Sequence, residues 1–333
     1  DQHAMRALTI HKPNSVSVVE VPIPAPGPEE VLVKVAACGI CGTDVHILRG
    51  EYLGEYPVVP GHEFAGEVIA VGERVRRFRV GDRVAVEPNI ACDNCFNCLN
   101  NRQNFCLNWQ AVGVTRPGGM AEYVVAPEKA VFDVGTLAYD EAAFVEPLSC
   151  VVHCIERAGI RMGDRIAILG AGPIGLLLLQ VAVSRGATDI TILERQPARL
   201  DLARVYGARR CTTDLGDLIP SGYDVVIDAT GSPKVMAATV ALARGGGTVL
   251  LFGVPPRGST LALDAFAVFE KGLTLRSSFT SLRNSTQAIS LLQSGAVRVN
   301  DLVSHRLPLE GFEQGVAMIE QGLDGVKKVL LVP

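Results

Sequence analysis

The pattern of apolar and polar positions changes twice along the chain. Up to about residue 150, short runs rich in Val, Gly and Pro, at 31–36, 65–71 and Arg83–Val86, are separated by turn residues. That texture predicts a mostly β domain with long loops. Beyond it, short apolar strands at Arg165–Leu169, 189–194, 224–229 and 248–253 alternate with helical or loop stretches, among them helices at 176–184 and 199–206. Strand–helix alternation predicts a parallel sheet covered on both faces and wound right-handedly. After about residue 281 come two amphipathic helices, 287–292 and 312–320, and a terminal strand, 328–332. This last stretch is too short to bury a core alone and is expected to return to the first domain. The chain therefore reads as α/β in two domains, 1–149 with 281–333, and 150–280.

One segment could be mistaken for a membrane span. Residues 166–184 carry a single strongly polar side chain, Gln180, and are long enough to cross a bilayer. Gly170, Gly172, Pro173 and Gly175 break the segment into a strand, a tight turn and a helix, which is the reading adopted. At 333 residues, 48% hydrophobic and 20% charged, the chain can bury a large core. A net charge of −4 gives no electrostatic reason to expect nucleic acid or an anionic membrane as partner, and a small diffusible substrate fits better. The start is short and polar, with Met5 as a candidate first residue. Four of the nine cysteines fall between Cys92 and Cys106. Clustered, odd-numbered cysteines suit metal binding in a reducing cytoplasm better than a disulfide scaffold.

Gly170-Ala-Gly172-Pro173-Ile174-Gly175 matches G-x-G-x-x-G. The pattern alone is weak, but here it follows a strand and opens a helix, the context of a dinucleotide site. Gly170 permits the turn, Gly172 lets backbone approach a pyrophosphate, and Gly175 lets the helix pack closely on the sheet. The helix N-terminus offers unpaired N–H groups to the phosphates. Glu194, at the end of the second strand, is placed to accept hydrogen bonds from the adenosine ribose, which favours NAD. Arg195 and Arg199 lie close enough to pair with a 2′-phosphate, so NADP stays open.

Cys92-x-x-Cys95-x-x-Cys98 with Cys106 supplies four soft ligands from one loop, as a closed tetrahedral zinc site requires. An iron–sulfur cluster uses the same donors, but nothing else in the chain suggests electron transfer. A second constellation is dispersed. Gly39-Ile-Cys41-Gly-Thr43-Asp44-Val-His46 is followed by Gly61-His62-Glu63. Thiolate, imidazole and carboxylate form the mixed set of an open, catalytic zinc. His3, His11, His153 and His305 show no ligand spacing.

Together these motifs resemble the zinc-containing medium-chain dehydrogenase/reductase superfamily, nearest its polyol (sorbitol-like) and threonine dehydrogenase branch. The resemblance runs over essentially the whole chain: Cys41 to His46, Gly61 to Gly66, Gly81-Asp-Arg-Val84, the cysteine lobe, Glu146-Pro-Leu148, the glycine turn, and Phe252-Gly-Val-Pro-Pro256. It implies a GroES-like catalytic domain and a Rossmann coenzyme domain with the active site between them, assembled as dimers or tetramers. It further implies Cys41 and His62 as catalytic zinc ligands, joined by Glu63 or Glu146, with Asp44 orienting His62. Two zinc ions per chain would follow.

The implied reaction is hydride transfer from a secondary alcohol to the nicotinamide, the zinc lowering the pKa of the substrate hydroxyl. Thr43 and His46 match the family's proton relay, and histidine ordinarily titrates near 6.5. Val254, Phe279 and Thr280 match positions whose backbone holds the carboxamide, and Thr230 would lie beside the nicotinamide. One departure stands out: sorbitol-type enzymes place an arginine where this chain has Thr280. Strict sorbitol specificity is thereby in doubt, leaving a sugar alcohol, vicinal diol, sugar acid or threonine. A zinc-free quinone or enoyl reductase of the superfamily would lack the metal cysteines. A non-enzymatic NAD-binding protein with structural zinc would leave Cys41, Thr43, His46, His62 and Glu146 unexplained.

Overall fold

Parallel strands need crossover connections, whereas antiparallel ones close with short turns; the second unit is parallel throughout its main sheet, and the first is antiparallel but for one parallel pair, Val303–Leu307 with Lys328–Leu331. The computed structural model describes residues 3–333, divided into two compact units. Of the described residues the first comprises 3–147, Ser285–Gln293 and Arg298–Pro333, and the second Leu148–Asn284 with Ser294–Val297.

In the first unit a seven-stranded sheet runs in the order Val303–Leu307, Lys328–Leu331, Glu30–Gly39, Glu63–Val71, Arg83–Val86, Val131–Asp133, with Tyr123–Pro127 also paired to Glu30–Gly39. Alternate side chains of Glu30–Gly39, among them Val31, Val33 and Val35, enter a core that also takes Phe64, Met120 and Phe312. The pairing register decides what meets at the site. Gly39 lies opposite Glu63 on one side and Leu330 on the other, so the terminal strand reaches the His62-Glu63 segment across a single glycine.

In the second unit six parallel strands run in the order Arg210–Thr212, Asp189–Leu193, Arg165–Leu169, Tyr223–Asp228, Ala243–Leu251, Thr274–Ser277. Numbered along the chain this is 3-2-1-4-5-6, the dinucleotide-binding order. The strand order reverses outside the carboxyl end of the first strand, at the crevice where such sheets bind ligands. Residues 166–184 split as expected into the rest of strand Arg165–Leu169, the turn, and helix Pro173–Ser184. Among the described residues no helix is long and apolar enough to cross a membrane.

Besides two four-residue helices, Phe96–Leu99 and Tyr139–Ala142, two longer ones lie where the sequence pattern gave only β texture and loops. Gly42–Arg49 is short and mostly polar, and Val145–Ala158 begins at the Glu146-Pro-Leu148 motif. Both carry residues of the candidate site.

Candidate active site and metal centres

Cys41 is extended (φ −106°, ψ 156°) and caps helix Gly42–Arg49. Its N–H donates to Asp44 Oδ2 at 2.8 Å, which fixes the helix start and turns the Asp44 carboxylate inward. Asp44 is fully buried. Its other oxygen faces His62 Nδ1 at 3.5 Å, and neither atom has another hydrogen-bond partner among the described residues. With Nδ1 turned to an acid, Nε2 is left to bind a metal, the usual arrangement of a metal-binding imidazole.

Ligand atoms of Cys41, His62 and Glu63 lie within 4.8 Å of one another. Burial works against charging His62, yet the neighbouring Asp44 and Cys41 outweigh it and raise its proton affinity well above the usual imidazole value. The donor set, the orphaned Nδ1–Asp44 pair and the negative field together fit zinc. Neighbouring Cys38 is held as a neutral thiol, by burial first and by Asp44 second. Glu146, half-buried near the start of Val145–Ala158, stands outside the three-residue cluster.

The four sulfurs of Cys92, Cys95, Cys98 and Cys106 also lie within 4.8 Å of one another, and all are free thiols. Backbone N–H groups point at them: Cys92 and Asn108 to Cys106 Sγ (both 3.3 Å), Asn94 to Cys92 Sγ (3.4 Å), Leu107 to Cys95 Sγ (3.4 Å). Such donors stabilise thiolates. The Asn108 side chain and the Asn94 N–H bring Cys92 down to about 6, whereas burial pushes Cys98 up to about 12. Around this cage Phe96, Leu99, Phe105 and Leu107 are exposed, so the lobe has little apolar interior of its own.

At the glycine turn each glycine has its own requirement. Gly170 has φ +115°. A Cβ on Gly175 would lie 2.0 Å from Gly170 O, whereas one on Gly172 would meet nothing nearer than Arg199 Nη1 at 3.9 Å, leaving room for a phosphate. Helix Pro173–Ser184 starts without a side-chain cap. Its free N–H groups and dipole are available to an anion. Glu194 is buried and already engaged: Oε2 accepts the Ala171 N–H (2.9 Å), Oε1 accepts the Gln196 N–H (3.1 Å), and Arg199 Nη1 stands 3.6 Å from Oε2.

Comparison with known proteins agrees with this geometry. The alcohol dehydrogenase GroES-like domain matches residues 27–136, and the zinc-binding dehydrogenase domain matches 173–294. The D-altritol 5-dehydrogenase of Agrobacterium fabrum is 37% identical, covering 92% of this chain and 93% of its own. The L-threonine 3-dehydrogenase of Aeromonas hydrophila is 34% identical over 98% and 99%. A zinc-binding dehydrogenase from Sinorhizobium meliloti, solved bound to NADP, superposes with a TM-score of 0.95 at 37% identity, covering 99% of each chain. The chain belongs to the zinc-containing medium-chain alcohol dehydrogenase superfamily. It is an alcohol oxidoreductase with the superfamily's GroES-like and Rossmann folds.

Within this dehydrogenase the remaining residues fall as follows. Thr43 and His46 both lie on helix Gly42–Arg49, Thr43 in the first turn, and His46 Nδ1 meets Glu51 Oε2 at 3.0 Å. Thr230 is tied down by the fully buried Asp228, which accepts the Thr230 N–H (3.1 Å), its hydroxyl (2.6 Å) and the Gly231 N–H (3.0 Å). Val254 and Phe279 are exposed, and Thr280 has φ +53°. Arg195 is exposed. Sequence reasoning missed Glu51, Asp228 and Lys328. The signal for Asp228 was an acid following the apolar run Val225-Val226-Ile227. Lys328 donates to Glu63 Oε2, and both side chains are buried.

Proposed function

We propose that this dehydrogenase oxidises a polar secondary alcohol (a sugar alcohol, vicinal diol, sugar-acid alcohol or threonine-like amino alcohol) with NAD preferred over NADP. Two zinc ions per chain serve it, one held by Cys41, His62 and a carboxylate, the other by Cys92, Cys95, Cys98 and Cys106. The observation that carries the reading is the Cys41–His62–Glu63 cluster with Asp44 behind the imidazole. Zinc at that cluster would supply Lewis acidity toward the substrate hydroxyl, and the nicotinamide would accept the hydride.

The protein's own part is positioning and proton movement. Asp44 holds His62 in the tautomer whose Nε2 lone pair is available. Thr43 Oγ1 would accept the hydroxyl proton while giving up its own, and His46 would carry that proton toward solvent with Glu51 at its Nδ1. Glu63 and Glu146 both remain candidates for the carboxylate ligand.

For the cofactor, Glu194 disfavours a 2′-phosphate by like charge, while Arg199 offsets part of that charge. The preference for NAD is therefore expected to be modest. Val254, Phe279 and Thr280 would hold the carboxamide, and Thr230 the nicotinamide side. The clustered reduced cysteines support a cytoplasmic enzyme, and the family supports a homodimer or homotetramer. A screen of polyols, sugar acids and amino alcohols, following nicotinamide reduction with each cofactor, tests the reading. Activity confined to simple primary alcohols would overturn the substrate class.

A further inference from the structure

A lysine buried beside two acids and a cysteine needs a reason. Lys328 and Glu63 are 7% and 1% exposed, and a buried ion pair is weak evidence for stability because desolvation consumes most of its attraction. The register shows how the pair forms. Gly39 is paired with Glu63 and with Leu330, and Ile40 N–H donates to Val329 O at 3.0 Å. A Cβ on Gly39 would stand 2.7 Å from Lys328 Cε and 3.1 Å from Glu63 Oε2. A side chain at 39 would therefore press on the Lys328 stem where it crosses the strand.

Glu63 therefore faces two cationic claims. Its carboxylate is a member of the Cys41–His62 cluster, while Oε2 accepts from Lys328. An oxygen that accepts a charge-assisted hydrogen bond gives less electron density to a metal.

We propose that Lys328 is a positioning residue that competes with the catalytic metal for the Glu63 carboxylate, weakening Glu63 as a ligand and keeping a coordination position open. This rests on the proposed zinc site at Cys41 and His62. The ammonium also balances the negative charge that Asp44 and Glu63 bring into one buried place.

The test uses the full-length protein with Co²⁺ in place of Zn²⁺, the catalytic-site signal being the part of the visible spectrum that Cys41→Ser removes. In Lys328→Met, Glu63 loses its competitor. Co²⁺ affinity at that site should rise about 10–100-fold, the usual scale for a group behind a metal ligand, and the d–d bands should weaken as coordination number rises. Lys328→Arg should keep the wild-type spectrum, and Lys328→Met/Glu63→Gln should cancel the tightening. A lysine that merely pins the terminal strand would lower the melting temperature and leave spectrum and affinity unchanged, which would overturn the proposal.

Glu63→Gln covers the case in which Lys328→Met does not fold. With Lys328 present it should weaken Co²⁺ binding only slightly, whereas a loss as large as that from Cys41→Ser would show Glu63 to be a full ligand and Lys328 no competitor. Wild-type protein with no Cys41-dependent cobalt signal would instead refute the zinc reading itself.

Discussion

Asp44→Asn changes one atom type at a position where the geometry makes the consequence calculable. The wild-type carboxylate accepts the Cys41 N–H at 2.8 Å with one oxygen and faces His62 Nδ1 at 3.5 Å with the other. An asparagine can keep the first contact through its carbonyl. Its NH₂ must then face Nδ1 and donate to it, which places the imidazole proton on Nε2 and removes the lone pair the metal needs. The lost charge matters as well. Two unit charges at about 4 Å attract by roughly 4 kcal/mol at an effective dielectric of 20. Outer partners of metal-bound histidines are typically worth about 10–100-fold in affinity, or about 1.4–2.7 kcal/mol. Chelator competition with zinc analysis should therefore show one zinc released from Asp44→Asn at 10–100-fold lower chelator, with the zinc of the cysteine lobe unmoved. A release curve identical to wild type, or simultaneous loss of both ions, would refute the argument.

Glu194→Ala should raise the NADP/NAD ratio of kcat/KM. It should also weaken binding of both cofactors, because the Ala171 N–H at the turn loses its acceptor; a wild-type preference for NADP would show that Arg199 dominates. His46→Gln should slow turnover by about 10²-fold or less, since water can bypass part of the relay, with zinc content intact and the largest effect at low pH; an unchanged pH–rate profile counts against the relay. Cys98→Ser should lower the thermal midpoint before it affects chemistry, since metal energy is folding energy in a lobe with little apolar interior. Normal stability with only one zinc lost would mean the two sites are assigned the wrong way round.

What could be read from the sequence depended on how locally each requirement is written. The glycine turn is legible because its demands fall on six consecutive residues, and Gly175 is required by a 2.0 Å approach to its own turn. The cysteine lobe is legible because four soft ligands sit within one loop. Lys328 was not, because the residue it pairs with is 265 positions away and a lysine in a short strand ordinarily faces water. Asp228 gave only a weak hint: it lies within a strand, 224–229, read for its apolar content, while its work is to tie the next turn. Helix Gly42–Arg49 has too few apolar positions for periodicity to reveal it, and its start is set by Asp44 reaching back to the Cys41 N–H. The contact of Glu194 with Ala171 was not legible, since it depends on how strand and turn close together.

The account rests on Cys41 and His62 holding the metal that activates the alcohol, apart from the nucleotide turn and the cysteine lobe. Turnover of Cys41→Ser on a polyol that the wild type oxidises, with zinc and NADH affinity measured on the same sample, tests this most directly. The account predicts one zinc lost, turnover abolished, and fold and NADH affinity unchanged. Full activity in Cys41→Ser, or a zinc content equal to that of the wild type, would contradict it.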